Sequence, residues 1–208
     1  DLNIDRIDSF LDTKINIDHS NRSYPPPAAI EFSINGACTR RCAFCPRVDE
    51  TKYPNILESF DMKTYKKIID SLADNNYTGV LQFSGFCEPL LTKNIDEYFS
   101  IASNKLQDAR IEMVSNLDTL PSNQKKADSY LKNLFDSGLT MLLASIYDGE
   151  DRYNELKILF ENLGYSNDKV ILRKRYLSKS ENFGMTLSNR AGAVDVESLG
   201  IKHQKIHL

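Results

Sequence analysis

The feature that most limits how this chain can fold is a regular exchange of short β-type runs for helical ones. Ile30-Glu31-Phe32-Ser33-Ile34 alternates apolar and polar side chains, the period of a half-buried strand. A helix follows over residues 61–72, with Asp61 as N-cap and Tyr65, Ile68, Ile69 and Leu72 on one face. Further strands are predicted over 79–83, 110–115, 140–146 and 169–173, with a shorter sixth around 185–188. Helices are predicted between them over 93–105, 125–137 and 148–163, the last two closed by Gly138 and Gly164. Strands and helices in this rhythm make parallel β-α units with right-handed crossovers, and such sheets place active sites at strand C-terminal ends. The class is therefore α/β. Six strands fall short of a closed eight-stranded barrel, and the pattern alone fits an open doubly wound sheet as well as a partial barrel.

The first predicted strand runs straight into Gly-Ala-Cys-Thr-Arg-Arg-Cys-Ala-Phe-Cys-Pro-Arg, which spaces Cys38, Cys42 and Cys45 as Cys-x3-Cys-x2-Cys. The Gly-Ala entry and Cys-Pro exit read as a loop. Three thiolates are one fewer than a cubane 4Fe-4S cluster normally takes, so a cluster held here keeps one iron open to something that reacts. A structural zinc site would show two Cys-x2-Cys pairs or a Cys/His set. This chain has one such pair, a fourth cysteine at Cys87, and histidines only at His19, His203 and His207. A disulfide framework is disfavoured because 208 residues build a core without staples.

The cysteine spacing, with aromatic Phe44 just before the third cysteine, resembles the signature of the radical S-adenosylmethionine (SAM) superfamily. The resemblance implies a partial (β/α)6 TIM-like barrel of parallel strands with outer helices. It also implies that SAM chelates the open iron and is cleaved by one electron to a 5'-deoxyadenosyl radical that abstracts hydrogen from a substrate. Cys38, Cys42 and Cys45 are then metal ligands.

Ser84-Gly85-Phe86-Cys87-Glu88-Pro89 looks like the family's Gly-Gly-Glu-Pro segment, which implies that Ser84 and Gly85 bring backbone toward SAM and that Glu88 accepts from its amine. Read without the family, Glu88 is equally a turn residue before proline. Cys87 departs from the usual glycine and reads as a small apolar filler in preference to a hydrogen-atom donor. Ser115, Asn116 and Ser145 end predicted strands and resemble the family's polar residues near SAM; ordinary turn and capping chemistry also accounts for them, and capping is preferred for Asp148. Arg173 either clamps a carboxylate or belongs to a solvated basic run. Ser188-Asn189-Arg190-Ala191-Gly192 looks like a segment that leads into SPASM or twitch domains. That likeness implies a SPASM/twitch-associated enzyme whose C-terminal part is absent from this chain.

Residues 1–27 read as a polar extension with a weak helical pattern at Ile4, Ile7, Phe10 and Leu11, 28–192 as the core domain, and 193–208 as a segment leading toward the absent part. A net charge of -3 gives no reason to expect a nucleic-acid groove, and the apolar runs are too short to span a bilayer. A cytoplasmic, reducing compartment suits an oxygen-sensitive cluster. The expected partners are a peptide or small-molecule substrate and a one-electron donor such as a flavodoxin or ferredoxin. The competing readings are a non-catalytic iron-sulfur or zinc-binding module, and a redox protein using Cys42 and Cys45 as a dithiol, which Cys38 argues against.

Overall fold

The computed structural model describes residues 26–185 together with Asp5, Leu187, Val194, Gln204 and Lys205. The helix predicted around Ile4–Leu11 and the Ser188–Gly192 motif lie outside the described residues. The chain runs through β1 (Ala29–Phe32), β2 (Asn35–Gly36), β3 (Arg40–Arg41), β4 (Ile56–Ser59) and α1 (Met62–Asp74). It continues through β5 (Val80–Phe83), α2 (Ile95–Lys105), β6 (Arg110–Ser115), α3 (Gln124–Asp136), β7 (Met141–Ile146), α4 (Glu150–Asn162) and β8 (Val170–Lys174), and β9 is Gln204–Lys205. Five of the strands form one sheet in the order β1-β5-β6-β7-β8, every pair parallel. The fold is α/β with a parallel sheet and outer helices.

Local chemistry sets the element boundaries. The Asp61 carboxylate accepts the Thr64 N–H at 2.8 Å and starts α1, as the sequence predicts. Asn123 does the same for α3. Gly138, at φ 108°, ends α3 in a conformation that costs a side-chain-bearing residue, and a Cβ there would overlap the Ser103 side chain. The strand predicted through Ile34 stops at Phe32. The reason is Asn35, whose Oδ1 accepts the Ala37 N–H at 2.7 Å and bends the chain, so that β2 turns away to pair antiparallel with β4.

Side chains alternate across the sheet. Phe32, Leu81, Phe83, Ile111, Met113, Leu142 and Ala144 face the helices and pack against Tyr65, Ile69, Phe99, Leu131, Leu134, Leu156 and Phe160. Burying each of the larger side chains contributes about 1.5–3 kcal/mol, which fixes the register of every strand. On the other face, Met141, Leu143, Ile171 and Val114 form a small apolar patch toward β7 and β8. Toward β1 that face is polar: Glu31, Gln82 and Glu112 sit side by side in the registers of β1, β5 and β6.

A sixth parallel strand is not found among the described residues. After β8 a 3-10 turn (Lys179–Gly184) is closed by reciprocal Ser178 and Glu181 capping, Met185 is a bend and Leu187 is in no strand. Phe183 in this turn is buried against Phe44, ring centroids 5.6 Å apart, so the segment covers the cysteine loop where a strand was expected. No helix among the described residues is long and apolar enough to cross a membrane.

Candidate active site

The five parallel strands point their C-terminal ends at one cavity of about 340 Å³. Cys38, Cys42, Phe44 and Cys45 reach it from the loop after β2, and Ser84, Gly85 and Glu88 from the segment after β5. Ser115 and Asn116 border it from the end of β6, Ser145 from β7 and Arg173 from β8. Every candidate site residue predicted from the sequence thus borders the same space.

The cysteine loop is held by hydrogen bonds to its own backbone. Asn55 brackets Cys38, its Oδ1 accepting the Cys38 N–H at 2.8 Å and its Nδ2 donating to the Cys38 carbonyl at 3.1 Å. Arg47 donates to the same Asn55 oxygen, to the carbonyl of Gly36 at 2.6 Å and to the carbonyl of Phe86, so it ties the loop exit to the glycine segment after β5. The Cys45 N–H bonds the Cys42 carbonyl at 2.9 Å, and Val48 N–H bonds the Cys45 carbonyl at 3.0 Å, a tight double turn. Arg40–Arg41 pairs antiparallel with Gln204–Lys205, a contact with no local signal in the sequence.

Arg40 is the strongest tie. Only 2% exposed, it bonds both oxygens of Asp118 after β6 and both oxygens of Asp148 after β7, and its guanidinium lies 4.9 Å from the centre of the Tyr147 ring. Burial works against its charged form, but the hydrogen bonds to Asp148 and Asp118 outweigh this and raise its pKa. The capping role expected of Asp148 is corrected here. Gly149, at φ 98°, occupies the N-cap of α4, which has no side-chain cap, and the Asp148 carboxylate is drawn to Arg40 instead.

Glu88 is 1% exposed. Its carboxylate accepts from Ser115 Oγ at 2.7 Å, from Asn116 N–H at 2.8 Å and from Leu90 N–H at 3.1 Å, the last capping the 3-10 turn that follows. Burial raises its pKa to about 7 against the pull of these donors. Ser115 and Asn116 are likewise engaged. Ser115 Oγ also accepts from Leu117 N–H, and Asn116 Nδ2 donates to Thr39 Oγ1 at 2.8 Å. The Glu88 N–H bonds the Ala37 carbonyl at 2.8 Å, so the second half of this network leads back to the cysteine loop.

Gly85 is a position where only glycine fits, because its φ is 95° and a Cβ would meet the Ser33 hydroxyl and stand 2.9 Å from Glu31 Oε1. Cys87 needs no such freedom. Its Sγ folds back to the Ser84 carbonyl at 3.2 Å and its side chain packs on the main core, while burial raises its pKa. Arg173 donates to Ser145 Oγ at 2.9 Å. Tyr147 stacks on Phe44 with centroids 6.2 Å apart, and burial, then the neighbouring Cys42 thiol, push its pKa well up. Arg40, Arg47, Tyr147, Arg175, Glu31 and Gln82 all border the cavity without having been predicted. For Glu31 and Gln82 the signal was present: both are polar residues at the inward positions of predicted strands.

The donor set suits an iron-sulfur cube held at three corners. Among the described residues no three His, Cys, Asp or Glu side chains converge as ligands of one metal ion would. Thiolates that each take a different iron stand around a cube and need not meet at a point. Burial pushes the Cys38 thiol up to about 12 and raises that of Cys42 as well, so both stay protonated until a cluster takes them as thiolates, and its binding releases their protons.

No family profile matches the chain. Over 168 residues it is 27% identical to the S-adenosyl-L-methionine-dependent 2-deoxy-scyllo-inosamine dehydrogenase of Niallia circulans, covering 80% of this chain and 60% of that protein. Among solved structures it is similar to BtrN in complex with AdoMet and 2-DOIA, with a TM-score of 0.63 and 24% identity, over 81% of this chain and 62% of that one. An open conformation of BtrN gives a TM-score of 0.51 at 23% identity, over 70% of this chain and 55% of that one. The chain thus spans about three-fifths of the length of the proteins it matches. These matches correct the SPASM/twitch affiliation, because the similar proteins are radical SAM proteins of a kind distinct from the SPASM type. That expectation rested on one short motif, Ser188–Gly192. The relatives to which the chain is similar are SAM-dependent, one of them by name a dehydrogenase.

Proposed function

We propose that residues 28–192 are the catalytic core of a radical SAM oxidoreductase that dehydrogenates a small polar alcohol. The observation that carries this reading is the convergence of Cys38, Cys42 and Cys45 with the Ser84–Glu88 segment and the ends of β6, β7 and β8 on one cavity. The likeness to a SAM-dependent dehydrogenase supports it. When bound, the 4Fe-4S cluster supplies the electron that cleaves SAM, giving a radical able to take hydrogen from an unactivated C–H bond.

In this reading Cys38, Cys42 and Cys45 hold the cluster. Glu88 offers a remaining carboxylate lone pair to the SAM amine and keeps the ends of β5 and β6 at a fixed distance. Gly85 lets backbone approach the cofactor, and Phe44, stacked on Tyr147, shields the loop from water. Ser145 and Arg173 form a polar pair for hydroxyl or carboxylate groups. The five strands are read as an arc of a partial (β/α)6 barrel, working in a reducing cytoplasm with a flavodoxin- or ferredoxin-like donor.

Anaerobic reconstitution tests the proposal. About four irons and four sulfides per chain are expected, with formation of 5'-deoxyadenosine from SAM under reduction. Cys38→Ala, Cys42→Ala and Cys45→Ala should each lose cluster and cleavage, and cleavage retained in any of them refutes the ligand assignment.

A further inference from the structure

Arg47 follows closely on Cys45 in the chain and is 3% exposed. A guanidinium cannot shed its proton to escape the cost of burial, so a buried arginine normally lies against a carboxylate. Arg40 obeys this rule with Asp118 and Asp148. Arg47 does not. Among the described residues no carboxylate pairs with it, and every group it bonds is neutral: the Gly36 carbonyl at 2.6 Å, Asn55 Oδ1 at 2.8 Å, the Pro54 carbonyl at 3.4 Å and the Phe86 carbonyl. Glu88, a buried carboxylate bordering the same cavity, is taken up by Ser115, Asn116 and Leu90 instead.

The cation is also held still. Its guanidinium lies 4.8 Å from the centre of the Tyr53 ring, and Tyr53 meets Phe86 edge-on with centroids 5.5 Å apart. The acceptors fix it between the two ends of the cysteine loop and the segment after β5, and it borders the cavity together with Cys38 and Cys45. Its charge reaches the thiols: burial raises the pKa of Cys38 and of Cys87, and Arg47 pulls both back.

Three thiolates outweigh the positive charge of an oxidised 4Fe-4S core, so a cube held by Cys38, Cys42 and Cys45 is net negative, and one electron from a low-potential donor makes it more so. A fixed cation nearby favours the more negative, reduced state. Arg40, with two carboxylates on it, supplies no net positive charge. We propose that Arg47 is the counter-charge of the cube, a positioning residue that raises its reduction potential and so eases the one-electron reduction that SAM cleavage requires. This rests on the reading that Cys38, Cys42 and Cys45 hold a 4Fe-4S cube, and adds a residue that acts on it.

The test is a potentiometric titration of the reconstituted cube, read by electron paramagnetic resonance with dithionite as reductant and no SAM present. A unit charge about 10 Å away, at an effective dielectric near 20, changes a one-electron equilibrium roughly 10-fold. Arg47→Gln is therefore expected to lower the reduction equilibrium about 10-fold, a shift of about 59 mV to the negative side for one electron. Arg47→Lys, which keeps the charge and loses the planar fork, is expected to stay within about 3-fold of wild type. A cube lost from Arg47→Gln but kept in Arg47→Lys also supports the charge. An unchanged potential in Arg47→Gln, an equal fall in both variants, or loss of the cube from both overturns the proposal. Wild-type protein that builds no cube sinks the functional reading, whereas a wild-type cube whose potential ignores Arg47 sinks only the counter-charge.

Discussion

Replacing Arg40 with methionine removes the cation that bonds both Asp118 after β6 and Asp148 after β7. Asp118 is 5% exposed and Asp148 46% exposed, so the two do not contribute equally. Water reaches Asp148, and an ion pair at that exposure is worth about 1 kcal/mol or less. Asp118 loses two guanidinium hydrogen bonds and keeps the Thr39 hydroxyl at 2.8 Å, and removing one partner of a buried ion pair costs about 3–5 kcal/mol. The retained Thr39 bond puts the expected loss near the lower end, about 3 kcal/mol, or a fall in Tm of about 6–12 °C for a chain of this length. Urea unfolding of the apo protein, read with an unchanged m value, measures it. Asp118→Asn is expected to cost more than Asp148→Asn. A loss below about 1 kcal/mol for Arg40→Met, or equal losses for the two aspartate variants, would refute this account of how the cysteine loop is anchored.

Gly85→Ala is expected to destabilise by at least about 2 kcal/mol, because it combines a positive φ with a collision at the Ser33 hydroxyl; thermal unfolding within 1 °C of wild type would show the turn to be tolerant. Glu88 carries a pH signature. Its folded pKa is raised from 4.5 to about 7, so its contribution is fully present below about 4.5 and is lost as pH rises through about 7, a change of roughly 3 kcal/mol. Apo-protein Tm should therefore fall across that window, and Glu88→Gln should flatten the fall; a profile indifferent to the substitution would mean that Glu88 ionises freely.

Much of the fold was legible because its signals are local. Helices α1 to α4 and the five parallel strands of the main sheet each show their own periodicity, and the Asp61 cap is a three-residue pattern. The candidate residues around the cavity were legible for a related reason: strand ends in a parallel sheet converge, so polar residues found there share a site. What escaped was long-range. Arg40 meets Asp118 and Asp148 across 78 and 108 positions, and nothing local at Arg40 marks it as buried. Asp148 was read as a cap because it precedes a helix, but Gly149 intervenes and the cation across the cavity outbids the helix N-terminus. The early end of β1 was decided by Asn35, whose side chain bonds Ala37 locally and Glu88 and Thr92 far along the chain. A sixth strand was expected from apolar residues near Met185 that instead pack over the cysteine loop beside Phe44 and Phe183.

The central claim is that three cysteines hold an iron-sulfur cube with one iron left for SAM. Mössbauer spectroscopy of protein reconstituted with iron-57 reads this directly. One iron in about four should be distinguishable from the others and should change its parameters when SAM is added. Iron sites that are all alike and indifferent to SAM would contradict the account.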